Sequence, residues 1–207
     1  NIDRLWRKRL VELVAERKPT NIVDIATGTG DVAISMAKKI PTSQIVGIDL
    51  SEEMLKVAQQ KIEHFSIKPN IRLLCEDAEN LSLSSNTFDV VTISFGIRNF
   101  ENIVKGLSEC HRILKEGGSL FIMEFSTPKH KVFNVLYRIY SKHILPLIGQ
   151  VISNDDKAYK YLPESIVEFN REHEFTELLL NNGFDSCISI SLSNGIAHIY
   201  IGVKSKM

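Results

Sequence analysis

Cysteine, proline and long apolar runs are scarce in this sequence, and each scarcity excludes a class of protein. The three cysteines among 207 residues form no Cys-x-x-Cys pair, which argues against a disulfide framework or a zinc site and fits a reducing compartment. No apolar run reaches the roughly 18 residues of a membrane-spanning helix. The first residues also lack the pattern of a secretory signal. We therefore expect a cytoplasmic protein that needs no metal.

An excess of one charge is also lacking, because 25 Lys and Arg residues balance 25 Asp and Glu residues. Without a global field, nothing in the composition favours nucleic acid as a partner. The remaining composition, 43% hydrophobic and 24% charged, is that of an ordinary folded protein. We expect residues 1–207 to form a single domain, and a homo-oligomer of that domain stays open.

Short strands rich in Ile and Val alternate with amphipathic helices along most of the chain. Strands are predicted at 21–26, 44–49, 71–75, 88–95 and 119–125, and helices at 2–17, 29–40, 51–65 and 101–115, the last ended by Gly117-Gly118. The first helix carries Leu5, Trp6, Leu10, Leu13 and Val14 at helical spacing. After an interruption at 127–162, a helix over 164–181 precedes strands at 185–193 and 196–204, joined by Asn194-Gly195. This order predicts an α/β fold with a doubly wound, mostly parallel, seven-stranded sheet and a C-terminal antiparallel hairpin.

A glycine-rich turn, DIATGTGD at residues 24–31, follows the first predicted strand. Gly28, Gly30 and Ala33 match the dinucleotide fingerprint G-x-G-x-x-G/A, and Asp49 follows about 20 residues later, where a carboxylate can bind ribose hydroxyls. Four acidic residues near the predicted strand ends suit the cationic S-adenosylmethionine and would repel the phosphates of a dinucleotide: Asp24, Asp31, Asp49 and Asp77. The terminal hairpin also favours a methyltransferase. A nicotinamide-dependent oxidoreductase and a non-catalytic binding module are the alternatives.

Six stretches together resemble the successive motifs of the ubiquinone/menaquinone-biosynthesis C-methyltransferases, which are class I S-adenosylmethionine-dependent enzymes. They are DIATGTGD, GIDLSEEML, DAENL, FDVVTISFGIRN, LKEGGSLFIMEFSTP and YKYLPES. The resemblance implies a Rossmann-like fold and transfer of a methyl group from S-adenosylmethionine to a ring carbon of demethylmenaquinol, giving menaquinol. A 2-polyprenyl-benzoquinol or another small molecule is the alternative acceptor. The resemblance also implies a further upstream segment with an aromatic-rich motif, which we expect to be missing from this chain.

The resemblance implies which residues hold the co-substrate. Thr29, in the loop between Gly28 and Gly30, is expected to contact its methionine part, and Asp49 its ribose. Asp77 and Ala78 are expected at the adenine edge, and Ser94 is expected to face the co-substrate from the fourth strand.

The catalytic residues are expected just beyond the fourth strand. We expect Arg98 to stabilise a ring oxyanion with support from Asn99. The alternative for Arg98 is an ion pair with a carboxylate such as Glu124. Asp31 is a further candidate as a proton acceptor, and its alternative role is a helix-start charge that complements the helix dipole. A catalytic role of His198 is disfavoured, and a packed or surface histidine is predicted there.

The interruption at 127–162 is predicted to be a lid over the acceptor. Residues 129–152 combine apolar residues near helical spacing with several Lys and Arg residues. A basic amphipathic helix of this kind lies on an anionic membrane surface, where it would meet a prenylated quinol, or packs on the sheet with a solvated basic edge. Both interpretations stay open. Tyr159, Tyr161 and Leu162 are expected to line the same acceptor pocket.

Overall fold

A computed structural model describes residues 2–65, 70–126 and 172–206, except for the side chains of 172–174. The predicted lid at 127–162, including Tyr159, Tyr161 and Leu162, lies outside the described residues. The first part of the helix predicted over 164–181 also lies outside them.

Seven strands form one sheet in the order β3-β2-β1-β4-β5-β7-β6. The first five strands run parallel, and β7 is antiparallel to both of its neighbours, β5 and β6. This arrangement confirms the predicted doubly wound sheet with a terminal hairpin. The strands are β1 Asn21–Ile25, β2 Gln44–Asp49, β3 Ile71–Cys75, β4 Phe88–Ser94, β5 Leu114–Phe125, β6 Phe184–Leu192 and β7 Ala197–Lys204.

The α-helices of the described residues cover the sheet on both faces. Trp6 and Leu10 of α1 and Met36 of α2 belong to one buried cluster, whereas Leu107 of α4 and Leu179 of α5 belong to another. Burial of these apolar side chains gives the helices most of their stability, since short helices are marginal in water. Their bounds are α1 Ile2–Glu16, α2 Asp31–Lys39, α3 Glu52–His64, α4 Ile103–Ile113 and α5 Glu172–Asn181.

Side-chain caps fix where two of the helices begin. The Ser51 hydroxyl accepts a hydrogen bond from the Met54 backbone N–H, and the Asn102 side chain accepts one from the Lys105 N–H. Ser51 is also the first residue of the helix predicted over 51–65. Because α3 starts there, the preceding strand β2 must end at Asp49, which places this carboxylate at the edge of the sheet.

One local prediction, the end of the fourth helix, is wrong. Helix α4 ends at Ile113, not near Gly117, because the buried Leu114 already pairs with Phe88 as the first residue of β5. Gly117, with φ at 74°, then lies inside an irregular stretch of β5. Leu5 is 65% exposed, since one residue along a helix turns the side chain by about 100° away from the buried Trp6.

Candidate active site

The strand order reverses between β1 and β4, and the chain is strained where both strands end. Ala26 follows β1 with φ at 53°, and Phe95 follows β4 with φ at 58°, both in the left-handed region that non-glycine residues seldom adopt. Between them, a Cβ on Gly96 would lie 2.3 Å from the Ala26 Cβ. A glycine is therefore required where these two loops meet at the carboxyl edge of the sheet.

A cleft of about 310 Å³ opens at this edge, in the position where open α/β sheets bind ligands. It combines apolar surface with an unusual number of acidic side chains. Its lining residues are Ile25, Ala26, Ile48, Asp49, Leu50, Glu76, Asp77, Ala78, Glu79, Gly96, Asn99, Phe100 and Glu101.

The charge of the cleft decides which co-substrate fits it. Five carboxylate residues belong to the lining, and no Lys or Arg among the described residues joins them. Asp49 and Asp77 are two predicted members of this set, whereas Glu76, Glu79 and Glu101 are additions. A pyrophosphate would be repelled here, and a ligand with a sulfonium and an ammonium would be attracted. This geometry favours S-adenosylmethionine over a nicotinamide dinucleotide.

Asp49 is fixed from two sides at the mouth of this cleft. One carboxylate oxygen accepts a hydrogen bond from the Gly28 N–H at 2.7 Å, and the other accepts one from the Ser51 N–H at 3.0 Å. Gly28 has φ at 55°, and no atom would lie within 4 Å of a Cβ built there. The loop thus leaves open space beside an oriented carboxylate, whose remaining lone pairs suit ribose hydroxyls.

The other predicted binding residues are spread along the same edge. Asp77 accepts a hydrogen bond from the Glu79 N–H at 2.8 Å, and Ala78 is the next lining residue. Ser94, the last residue of β4, has a buried hydroxyl without a hydrogen-bond partner among the described residues. The exposed Asn99 also lines the cleft.

Lys61 joins Thr29 and Asp31, and Arg7 is a second cation on Asp31; neither basic residue was predicted from the sequence. Lys61 of α3 donates to the Thr29 hydroxyl and to Asp31, both at 2.7 Å, and Arg7 of α1 donates to Asp31 at 2.8 Å. Burial alone would raise the pKa of Asp31, but the hydrogen bonds and charges of Lys61 and Arg7 outweigh it and lower that pKa. No local signal reveals these partners, because they are 24 and 30 residues away along the chain.

Asp31 does not line the cleft that contains Asp49. It lies in a neighbouring groove of about 580 Å³ between α1 and α2, together with Arg4, Arg7 and Lys8. An aspartate held by two cations stays ionised and is a weak base. The geometry therefore favours a structural role for Asp31 at the start of α2. Its catalytic role stays a prediction.

Asp24 is buried beneath the glycine loop and, like Asp31, is not part of the cleft lining. Its two oxygens accept hydrogen bonds from the hydroxyls of Thr27 at 2.7 Å and Thr92 at 2.6 Å. Burial raises the pKa of Asp24 to about 6, although these hydrogen bonds oppose the shift. The residue therefore ties the loop to β1 and β4 and does not line the cleft.

Arg98 and Glu124 form a buried ion pair beside the cleft. Arg98 belongs to a short 3₁₀ turn, Ile97–Asn99, and its side chain is 9% exposed, whereas that of Glu124 in β5 is 1% exposed. This pairing is the alternative that the sequence left open for Arg98. It does not test the oxyanion role, because the Arg98 Nε still has no partner among the described residues.

An aromatic wall adjoins this pair. The rings of Phe95 and Phe125 lie 4.5 Å apart, the Trp6 ring lies 6.0 Å from Phe125, and the Arg98 guanidinium lies 5.6 Å from the Phe125 ring. Phe95 and Phe125 are only half-buried. Trp6 is buried behind them, so Phe95 and Phe125 offer the flat apolar surface next to a cation, which suits an aromatic ligand.

His198 is packed and not exposed to solvent. It is 4% exposed, its Nδ1 lies 2.8 Å from the Ser189 hydroxyl, and its ring stacks on Tyr200. This agrees with the prediction of a packed or surface histidine.

The described part of the chain contains neither a metal-binding cluster nor a membrane-spanning helix. No group of three or more His, Cys, Asp or Glu residues there could hold a metal ion. No helix there is long and apolar enough to cross a membrane.

The sheet order and the acidic cleft beside a glycine loop define the class I S-adenosylmethionine-dependent methyltransferase fold. A SAM-dependent methyltransferase from Aquifex aeolicus superposes with a TM-score of 0.67, covering 93% of this chain and 88% of its own, at 18% identity. The YcgJ protein from Bacillus subtilis superposes with a TM-score of 0.66, covering 97% of this chain and 98% of its own, at 17% identity. Identities this low support the fold alone.

Sequence similarity then identifies the family. The chain belongs to the ubiE/COQ5 methyltransferase family, whose profile matches residues 1–204. A demethylmenaquinone methyltransferase of Porphyromonas gingivalis is 38% identical over 204 residues, which are 98% of this chain and 83% of the relative. The ubiquinone/menaquinone biosynthesis C-methyltransferase UbiE of Geotalea uraniireducens is 41% identical over 204 residues, 98% of this chain and 86% of the relative. The protein is therefore an S-adenosylmethionine-dependent methyltransferase.

Proposed function

We propose that this enzyme transfers a methyl group from S-adenosylmethionine to a ring carbon of demethylmenaquinol and so produces menaquinol. The names of relatives at 38–41% identity support this acceptor. The structural observation that carries it is the aromatic wall of Trp6, Phe95 and Phe125 beside the Arg98–Glu124 pair. A fused aromatic ring with a hydroxyl group matches that combination of flat surface and charge.

The co-substrate binds in the acidic cleft in this proposal. Asp49 would hold the ribose hydroxyls, and Asp77 with Ala78 would hold the adenine edge. The Gly28–Gly30 loop, with Thr29, would take the methionine part, and Ser94 would face the co-substrate. Bound there, S-adenosylmethionine supplies a methyl group on a positively charged sulfur.

The acceptor carbon is a poor nucleophile until a neighbouring hydroxyl loses its proton. Arg98 would stabilise the resulting oxyanion, with Asn99 in support, because a cation near the ring oxygen lowers the energy of the developing charge. Placement of the ring carbon in line with the methyl–sulfur bond lowers the activation barrier further, by up to roughly 7–11 kcal/mol when the geometry is well fixed. Asp31 is the weaker candidate for accepting a proton, given its two cationic partners.

We propose further that the whole chain acts as a single domain in the cytoplasm and meets its acceptor at a membrane surface. A prenyl tail keeps the quinol in the bilayer, so the enzyme must reach it there. The basic, apolar segment 129–152 is the proposed contact, and 127–162 the proposed lid.

A 2-polyprenyl-benzoquinol is the second candidate acceptor, because the relative at 41% identity is named for both ubiquinone and menaquinone biosynthesis. Its ring is smaller, but it presents the same hydroxyl to Arg98. A labelling assay separates the two candidates. The protein is incubated with methyl-labelled S-adenosylmethionine and either quinol in detergent, each in reduced and oxidised form.

We expect label on reduced demethylmenaquinol and none on its oxidised form, since only the quinol ring is electron-rich. Label on both quinols would show that one enzyme serves both the menaquinone and the ubiquinone pathway. If neither quinol takes label while calorimetry still detects S-adenosylmethionine binding, the proposed acceptor is wrong and the enzyme class stands.

A further inference from the structure

Buried polar atoms without partners gather at the carboxyl end of β4 and β5. Of the four such atoms in the described part of the chain, three lie there: Ser94 Oγ, Arg98 Nε and Glu124 Oε2. Buried polar groups are nearly always hydrogen-bonded, so such a concentration points to a ligand that supplies the missing partners. Arg98 Nε offers a donor and Glu124 Oε2 an acceptor, which together match a hydroxyl group.

Glu124 has one oxygen occupied and one free. Its Oε1 accepts hydrogen bonds from Arg98 Nη1 and from the Phe125 N–H, the latter at 2.8 Å. These contacts fix the carboxylate, while Oε2 is buried and has no hydrogen-bond partner among the described residues. A carboxylate oxygen in such a position costs free energy until a donor reaches it.

Asp24 and Asp31, the two aspartates around the glycine loop, do not have such a free oxygen. Both oxygens of Asp24 accept hydrogen bonds from threonine hydroxyls, so Asp24 is already satisfied. Both oxygens of Asp31 accept hydrogen bonds from cations, which stabilise its ionised form. Among these three carboxylates, only Glu124 combines burial with an unoccupied oxygen next to a guanidinium.

We propose that Glu124 is the general base of the reaction: its Oε2 accepts the proton of the acceptor's phenolic hydroxyl while Arg98 Nε donates to the same oxygen. This inference rests on the proposed phenolic acceptor. As the proton moves to Glu124, the ring carbon forms a bond to the methyl carbon and the methyl–sulfur bond breaks, leaving neutral S-adenosylhomocysteine. The methylated ring carbon then loses its own proton to solvent, and Glu124 returns the first proton to the oxygen. One proton is released overall, which balances the charge lost from the sulfonium.

The surroundings of Glu124 strengthen it as a base. Burial raises the pKa of Glu124. The Arg98 charge, the Phe125 N–H and the hydrogen bonds from the Arg98 side chain and backbone N–H act in the opposite direction without cancelling the rise. A carboxylate with a raised pKa accepts a proton more readily near neutral pH. The titratable groups that face it from the described elements are Arg98 in the 3₁₀ turn and His198, its cross-strand partner in β7.

The test compares wild type with Glu124→Gln in the labelling assay across pH. Glutamine keeps the Oε1 acceptor for Arg98 but cannot take a proton. We expect unchanged S-adenosylmethionine affinity by calorimetry, turnover lowered at least about 100-fold near pH 7, and a residual rate that rises about tenfold per pH unit as hydroxide replaces the base. A loss that is the same at every pH would mean that Glu124 only positions Arg98, and would overturn the proposal. If turnover of Glu124→Gln still falls at low pH as in wild type, another group such as His198 causes that fall. This result would also overturn the proposal.

Two further variants guard against effects on folding. Asp89→Asn removes a carboxylate from an ion pair at the opposite, amino end of β4, so it is expected to lower the melting temperature without changing the shape of the pH profile. Glu124→Asp keeps a carboxylate on a shorter side chain. We therefore expect a lower turnover that still falls at low pH, but with the midpoint of that fall at a shifted pH. If that midpoint does not move, the proposal fails even when Glu124→Gln does not fold. Failure of the proposed acceptor is distinguishable, because wild type itself would then label no quinol.

Discussion

Individual aspartates in this enzyme look alike in sequence and differ in the structure because of their partners. The position of Asp49 was predictable, since the strand predicted at 44–49 ends there, directly before the helix predicted from Ser51. The hydrogen-bond partners of Asp24 and Asp31 were not predictable, because Thr92 and Lys61 are distant along the chain. Local patterns therefore identify which carboxylates approach a site, and long-range contacts decide which of them remain free.

Asp49→Ala is expected to weaken S-adenosylmethionine binding at least tenfold, about 1.4 kcal/mol. The change removes the proposed ribose acceptor and also frees the Gly28 N–H that orients the glycine loop. Isothermal titration calorimetry measures the effect. Asp185→Ala, the same substitution at an exposed site on the edge strand β6, is the matched control and should bind normally. An unchanged affinity in Asp49→Ala would remove Asp49 from the binding site.

At the scale of elements, the order of strands and helices followed from hydrophobic periodicity, and their ends were less certain. Leu114 continues the apolar pattern of α4, so a helix to residue 115 was a reasonable prediction from the sequence. In the structure Leu114 belongs to β5, where it pairs with Phe88 and is fully buried. Such a choice between helix and strand depends on a tertiary partner that no local pattern contains.

Asp89 is the residue that ties three such elements together, and its loss should lower stability in a pH-dependent way. It accepts hydrogen bonds from Lys115 of β5 and from Thr20 and Asn21 at the start of β1. Partial burial by itself raises the pKa of Asp89, but these hydrogen bonds outweigh it and hold that pKa at about 2, below the usual 3.8. The stabilisation is therefore fully present above about pH 4 and is lost as the pH falls toward 2.

For Asp89→Asn we expect a free energy of unfolding lower by about 1 kcal/mol at pH 7, a modest value because solvent screens this partly exposed site. Urea unfolding at several pH values measures it. The difference from wild type should shrink below pH 4. A difference that stays constant down to pH 2.5 would show that the charge of Asp89 does not carry the effect.

At the scale of the whole molecule, the sequence predicted the fold and the co-substrate class better than the acceptor site. The glycine loop and Asp49 are local signals, and the strand alternation repeats along the chain. The acceptor site instead assembles Trp6 from α1, Phe95 after β4 and Phe125 from β5. Residues so far apart in sequence meet only because the parallel sheet places its strand ends at one edge.

The acidic cleft makes a further prediction for the whole molecule, because a ligand that binds only the folded state stabilises all of it. At 100 times its dissociation constant, S-adenosylmethionine should add about 2.7 kcal/mol, which for a chain of this length raises the melting temperature by about 5–10 °C. NADH at equal concentration should give no shift, since five carboxylate residues line the cleft and would repel its phosphates. In Asp49→Ala the shift should be smaller at the same ligand concentration. A shift with NADH as large as that with S-adenosylmethionine would contradict the electrostatic argument, because only contacts strong enough to offset the repulsion could then hold the dinucleotide.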